Sequence, residues 1–276
     1  MKKILLTGAT DGIGLETAKL LLAQGHHLLI HGRSESKLTK TAKTLAKDFP
    51  KAKIECYRAD LSNFEDLRSM MKAVLDTHKS IDILINNAGV FNTSEPITND
   101  GLDSRFVVNT FAPYILAKTL LPLLADNGRV INLSSAAQAS ISLEAMKGKQ
   151  TISEAFQAYA QSKLAITIWS QELARALKPE QVMVAVNPGS MLASKMVKEG
   201  FGVEGNDLSI GADILVRAAL SSEFADASGK YFDNDSRQFS MPHSDALDAS
   251  KCGLVFEAIK EIVEEFYGDP NIARQK

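Results

Sequence analysis

Tyr159 and Lys163 stand four residues apart in Ala158-Tyr159-Ala160-Gln161-Ser162-Lys163. On a helix that spacing puts both side chains on one face. A free phenol, with a pKa of about 10, exchanges protons poorly at neutral pH. An ammonium beside it favours the phenolate and brings the group toward the range useful for acid/base work. The pattern alone is common, so its meaning comes from what accompanies it. Asn132-Leu133-Ser134-Ser135 closes an apolar run just before this helix. A hydroxyl at such a strand edge can hold an oxygen on which charge develops. Asn86-Asn87-Ala88-Gly89 closes another such run. Asn109 sits in the mostly apolar stretch Phe106-Val107-Val108-Asn109-Thr110; it serves either the chemistry or buried backbone groups. Asp60, in Ala59-Asp60-Leu61, reads as a ligand contact or as a helix N-cap.

A second group of residues belongs to an anion. Thr7-Gly8-Ala9-Thr10-Asp11-Gly12-Ile13-Gly14 lies between an apolar run and a helical pattern. Gly8 permits a tight turn, while Gly12 and Gly14 let backbone approach a pyrophosphate. The helix start then offers free N–H groups and the positive end of its dipole. The spacing Gly-x-x-x-Gly-x-Gly departs from the standard Gly-x-Gly-x-x-Gly fingerprint. One strand later the chain reads His31-Gly32-Arg33-Ser34. An acid at the end of that strand would take the ribose hydroxyls of NAD. Gly32 stands there instead, followed by Arg33, whose guanidinium suits a 2′-phosphate. Arg33 as a solvated loop residue is the alternative, and the carboxylate of Asp11 opposes a nearby phosphate. The balance favours NADP(H) over NAD(H).

These residues need elements to position them. Short apolar runs at Lys3–Thr7, His27–His31, Lys53–Arg58, Ile81–Asn86, Arg129–Ser134, Val182–Asn187 and Lys230–Phe232 read as strands. Helical patterns alternate with them at Ile13–Gln24, Glu35–Asp48, Phe64–His78, Leu102–Ala125, Ser153–Leu177, Ile210–Ser221 and Leu247–Phe266. Such alternation predicts an α/β fold: a single doubly wound Rossmann-type domain, with about seven parallel strands and helices on both faces. Gly25 is placed to end the first helix, and Pro179 to close the long one. No linker or repeat divides residues 1–276, and the cofactor half spans about 1–150. Two irregular segments, about 136–157 and 190–209, are expected to hold the substrate. The second is rich in Gly and Met and is expected to act as a lid.

Composition narrows the partners. A length of 276 residues with 45% hydrophobic and 23% charged residues describes an ordinary globular chain. A net charge of −2 gives no basic surplus for nucleic acid. Cys56 and Cys252 are too few and too far apart for a disulfide framework or a local metal knuckle, and no metal ligand is assigned. The run Ile4-Leu5-Leu6 is too short for a signal-peptide core or a membrane span, so cytoplasmic residence is expected.

Together the motifs resemble the classical short-chain dehydrogenase/reductase family, with order and spacing that match over nearly the whole chain. The resemblance implies an Asn–Ser–Tyr–Lys tetrad of Asn109, Ser135, Tyr159 and Lys163. Tyr159 would be the acid/base and Ser135, the second serine of its pair, would hold the substrate oxygen. Lys163 would lower the tyrosine pKa and bind nicotinamide ribose, and Asn109 would help position a relay water. Cofactor contacts are implied for Gly8, Thr10, Asp11, Gly12, Ile13, Gly14, Arg33, Asp60, Leu61, Asn87, Ala88, Gly89, Pro188 and Gly189, with Tyr159 and Lys163. The stretch between Ser135 and Tyr159 is longer than usual in the family. There, and at Gln161–Ala165 and Gln171–Arg175, the chain is similar to retinol-dehydrogenase-like members and to the WW-domain-containing oxidoreductase, though neither WW domains nor a membrane anchor is expected for it. Those relatives suggest a small apolar carbonyl or alcohol substrate. After Pro188-Gly189 a threonine is expected to meet the carboxamide; Ala193 stands there, with Ser194 as a substitute. A homodimer or homotetramer is expected, from the resemblance and from the apolar Phe111, Tyr114, Ile166, Ile168 and Trp169. A nucleotide-binding regulator without turnover is the competing class. An extended epimerase or dehydratase is disfavoured by the glycine spacing and the short C-terminal region.

Overall fold

Ile4, Leu5 and Leu6 are fully buried, as a strand covered on both faces requires. They form β1 (Lys3–Leu6), followed by β2 (His27–Gly32), β3 (Ile54–Arg58), β4 (Ile81–Asn86), β5 (Leu124–Leu133), β6 (Val182–Asn187), β7 (Tyr231–Asp233) and β8 (Gln238–Ser240). The computed structural model describes residues 1–190, 192 and 205–270. One sheet carries the strands in the order β3-β2-β1-β4-β5-β6-β7-β8. Seven strands are parallel, as expected, and β8 adds an antiparallel edge. A three-residue strand leaves no readable alternation, so the sequence hid β8. It follows a turn that holds Arg237 at φ 57, in the left-handed region. β5 begins earlier than Arg129 because Leu124 pairs with Ile81 ahead of a register shift. Asp126-Asn127-Gly128 had the composition of a turn.

Side chains of the sheet alternate between two cores. Leu5 and Leu29 face the core of α3 (Phe64–Thr77), α5 (Ala112–Leu120), α7 (Ala155–Ala174) and α9 (Ala249–Phe266). Ile4, Leu6, Leu28 and Ile30 face the core of α1 (Gly12–Ala23), α2 (Glu35–Asp48) and α8 (Leu208–Leu220). This is the expected α/β architecture with helices on both faces. Asp11 caps α1 by accepting from Gly12 N. Gly25, at φ 77, ends it: Gly25 N donates to Leu22 O and His26 N to Leu21 O, a Schellman close. α7 ends at Ala174, ahead of Pro179.

The expected helix Leu102–Ala125 is not uniform. It runs as α4 (Ser104–Phe106), a π turn at Val107–Phe111, then α5. Ser104–Leu123 has the length and hydropathy to cross a membrane, but 78% of that stretch is buried inside the protein. The apolar residues expected to meet a second copy are also interior. Phe111, Tyr114, Ile166, Ile168 and Trp169 are all at most 3% exposed. α9 packs on α7, and the Tyr114 ring lies edge-on to Trp169 and to Phe256, at 5.6 and 6.1 Å. Those side chains therefore supply no surface for association.

Candidate active site

A parallel sheet gathers the carboxyl ends of its strands along one edge, and the order reverses between β1 and β4. That crevice is where such folds take ligands. The glycine turn follows β1, Arg33 follows β2, and Asp60 and Leu61 follow β3. Asn87, Ala88 and Gly89 follow β4, Ser135 follows β5, and Pro188 and Gly189 follow β6. The sequence-predicted contacts thus come together, apart from Ala193 and Ser194, which lie outside the described residues. Most of the lid 190–209, including Met191, Met196, Gly200, Phe201 and Gly202, lies outside them too.

The turn is tightly built. Gly14 cannot carry a side chain, because a Cβ would stand 2.1 Å from Gly8 O. Thr7 Oγ1 accepts from the backbone N–H groups of Asn87 and Ala88, each at 3.0 Å, and Asn87 Nδ2 donates to Thr7 O and Gly8 O. A Cβ on residue 32 would meet Thr10 Cγ2 at 2.5 Å, so Gly32 is also a packing requirement. Ile13 packs beside Gly211 of α8. Arg33 is exposed, and its carbonyl accepts from Arg58 Nε at 3.4 Å. Asp60 is not a helix N-cap; Asn63 caps α3. Asp60 Oδ1 instead accepts from the N–H and hydroxyl of Ser62 at 3.0 and 2.7 Å, shaping the loop that buries Leu61. Pro188 O accepts from Asn234 Nδ2, and Gly189 has φ 119.

The two serines after β5 part ways. Ser134 is buried, its hydroxyl 3.0 Å from Lys163 O and 2.6 Å from Thr167 Oγ1. Ser135 is half-buried rather than enclosed, its hydroxyl accepts from Ala137 N at 3.1 Å, and it lies close enough to the Tyr159 phenol to lower that group's proton affinity. Its carbonyl receives Gln138 Nε2 at 3.0 Å and the Tyr231 hydroxyl at 3.1 Å, which hold the loop in place. Lys163 Nζ lies 5.6 Å from the Tyr159 ring centroid and donates to Leu133 O at 2.7 Å. Burial pushes Lys163 down to about 7. Burial also raises Tyr159 above the usual phenol value, against the lowering effect of Ser135. Within the protein alone, desolvation favours the neutral form of both groups.

Asn109 lies in the π turn, a common position for functional side chains. Its amide exchanges hydrogen bonds with Val90 N and O at 2.8 and 2.9 Å and donates to Ser162 Oγ at 2.9 Å. These contacts tie the loop after β4 to α7, one residue before Lys163. Further residues complete the site, and the sequence reading gave Ser170, Phe91 and Phe156 no role. Asn86, Asn132 and Ser170 form a buried chain, at 2.7 and 2.8 Å, joining β4, β5 and α7. Phe91 lies edge-on to Tyr159 at 5.3 Å and to Phe156 at 6.4 Å. Phe156 precedes Tyr159 by three positions on α7, a helical spacing that could have drawn notice.

The family model of the short chain dehydrogenases matches residues 2–202. The chain belongs to that family. Among relatives of this short-chain dehydrogenase, retinol dehydrogenase 12 of Mus musculus is 32% identical, over 86% of this chain and 79% of that protein. The WW domain-containing oxidoreductase of Gallus gallus is 27% identical, over 97% of this chain and 69% of that one. A solved structure, landomycin C-6 ketoreductase LanV with bound NADP and rabelomycin, is 26% identical with a TM-score of 0.65, covering 84% of this chain and 94% of that one. The protein is therefore an NAD(P)-dependent oxidoreductase acting on a small molecule, and the resemblance read from its motifs holds.

Proposed function

We propose that this chain interconverts a carbonyl and an alcohol on a small apolar substrate, with NADP(H) as cofactor and Tyr159 as the acid/base. The observation that carries the reading is the Lys163 ammonium 5.6 Å from the Tyr159 ring centroid, with Ser135 near the phenol, at the edge that also carries the glycine turn. The cofactor, when bound, supplies or receives the hydride. In the reducing direction the substrate oxygen becomes an alkoxide and needs a proton. The Tyr159 hydroxyl is the donor, and Ser135 holds the same oxygen from its other side. The phenolate left behind is stabilised by the Lys163 ammonium, so the pair favours its charged form once a proton has been given up. Asn109 keeps the loop after β4 against α7 and so fixes Tyr159 relative to the crevice.

Support for NADP(H) comes from the end of β2. Thr10 fills the space an acidic side chain at residue 32 would need, and the next residue, Arg33, is an exposed cation. Asp11 is committed to the α1 N-terminus at 2.8 Å, which moderates its repulsion of a phosphate. The NADP in the ketoreductase relative agrees with this reading. Support for an apolar substrate comes from Phe91, edge-on to the Tyr159 ring, and from Phe156, which is 44% exposed and packs against Phe91. The test is oxidation of NADPH and NADH against a panel of aryl and alkyl aldehydes and ketones. Steady turnover with NADPH is expected; cofactor binding without turnover on any of them would turn the reading toward a regulator.

A further inference from the structure

Gly8 stands at φ 67 at the head of the glycine turn, and both of its backbone polar groups are held. Its carbonyl accepts from Asn87 Nδ2 at 3.2 Å, on the β4 side. Its N–H donates to His31 Nδ1 at 3.2 Å, on the β2 side. The other ring nitrogen, His31 Nε2, lies 3.0 Å from Ala59 O, at the end of β3 and next to Asp60. The backbone of His31 joins in, since its carbonyl accepts from Ala9 N at 2.9 Å.

The tautomer follows from the partners. A backbone N–H can only donate, so Nδ1 must carry the lone pair. A carbonyl can only accept, so Nε2 must carry the hydrogen. Only the neutral Nε2–H imidazole satisfies both. The ring is 3% exposed. Burial holds it down to about 4, so the neutral form is the one present at physiological pH.

We infer that His31 is a positioning residue for the cofactor: its neutral imidazole clamps the glycine turn to the end of β3, opposite Asn87. It spans the two loops expected to hold the pyrophosphate and the adenine end. The inference rests on the cofactor reading above. It differs from the role given to Arg33, because the pyrophosphate is common to both dinucleotides. A lost clamp therefore weakens NADPH and NADH alike, whereas a lost Arg33 weakens NADPH selectively.

The test uses His31→Leu, His31→Asn and His31→Gln in the full chain, with NADPH and NADH binding followed by titration and with kcat at saturating cofactor. His31→Leu is expected to raise both dissociation constants by about tenfold, the order of one hydrogen bond. Its kcat at saturation should stay near the parental value. His31→Asn puts an amide oxygen near Nδ1 and should recover most of the affinity. His31→Gln reaches only toward Ala59 and should recover little. If His31→Leu does not fold, the Asn and Gln pair decides alone. Equal affinity in those two, or parental affinity in a folded His31→Leu, would overturn the clamp. A parent that binds neither dinucleotide would instead overturn the cofactor reading, and the clamp with it.

Discussion

Replacing Lys163 with methionine separates what this residue does for chemistry from what it does to the fold. The side chain is 4% exposed, and its ammonium donates to Leu133 O at 2.7 Å. Burial takes its pKa from 10.5 to about 7. Because the folded value lies below the unfolded one, the protonated lysine opposes folding. The penalty is absent above about pH 10.5, grows as pH falls, and is complete below about pH 7. Each pH unit in that window is worth about 1.4 kcal/mol, so the penalty at pH 7 is on the order of 4 kcal/mol. Lys163→Met keeps the length and removes the charge. It also leaves the Leu133 carbonyl without this donor, at a cost of about 1–2 kcal/mol. The variant should therefore be more stable than the parent by about 2–3 kcal/mol at pH 7, and no more stable near pH 10. Urea denaturation of both proteins without cofactor, at several pH values across this window, measures the difference directly. Turnover should be lost in the same variant. A stability difference that does not change with pH, or a variant less stable than the parent at pH 7, would refute the assignment of a desolvated ammonium.

Tyr159→Phe keeps the ring against Phe91 and removes the acid, so turnover should fall by about 10²–10⁴ with cofactor affinity nearly intact; near-parental turnover would remove Tyr159 from the mechanism. Arg33→Ala should lower the preference for NADPH over NADH by about tenfold or more, since one charge-assisted contact is lost; equal loss of both cofactors in a titration would reject the 2′-phosphate role. Phe156→Ala should raise KM for apolar carbonyls severalfold, with kcat less affected, and an unchanged KM across the panel would show that the substrate does not touch this wall. A last expectation concerns acid. His27 Nε2 lies 2.8 Å from Glu55 Oε1, His78 Nε2 lies 3.2 Å from Glu55 Oε2, and Tyr57 OH lies 2.9 Å from the His78 ring nitrogen. Burial holds both imidazoles below 6.5. The unfolded chain then binds protons more readily, and stability should decline as pH drops below that value. His78→Gln should flatten the decline in denaturation midpoints, and an unchanged slope would place its source elsewhere.

Much of this was legible in consecutive residues. The alternation of apolar runs with helical patterns sets a parallel sheet, and its strands end where Gly8, Asn87, Ser135 and Gly189 stand. Tyr159 and Lys163 share a helix face by spacing alone, and Gly8, Gly12 and Gly14 announce a turn that needs bare backbone. Such signals survive in sequence because they depend on neighbours within a few positions. Other features depended on groups brought together from far along the chain. Ser134 and Ser135 are equivalent in sequence; only the packing of α7 sends one hydroxyl to Thr167 and leaves the other near Tyr159. The apolar faces that suggested a second copy are covered by α9, whose docking on α7 no local pattern records. The π turn that seats Asn109 reads as ordinary helix until Val90 and Ser162 are placed against it. His31 looks like one polar residue ending an apolar strand, yet its ring joins Gly8 to Ala59. Desolvation decides the rest, since the proton affinity of Lys163 is set by the water that surrounding elements exclude and not by the residues beside it in the chain.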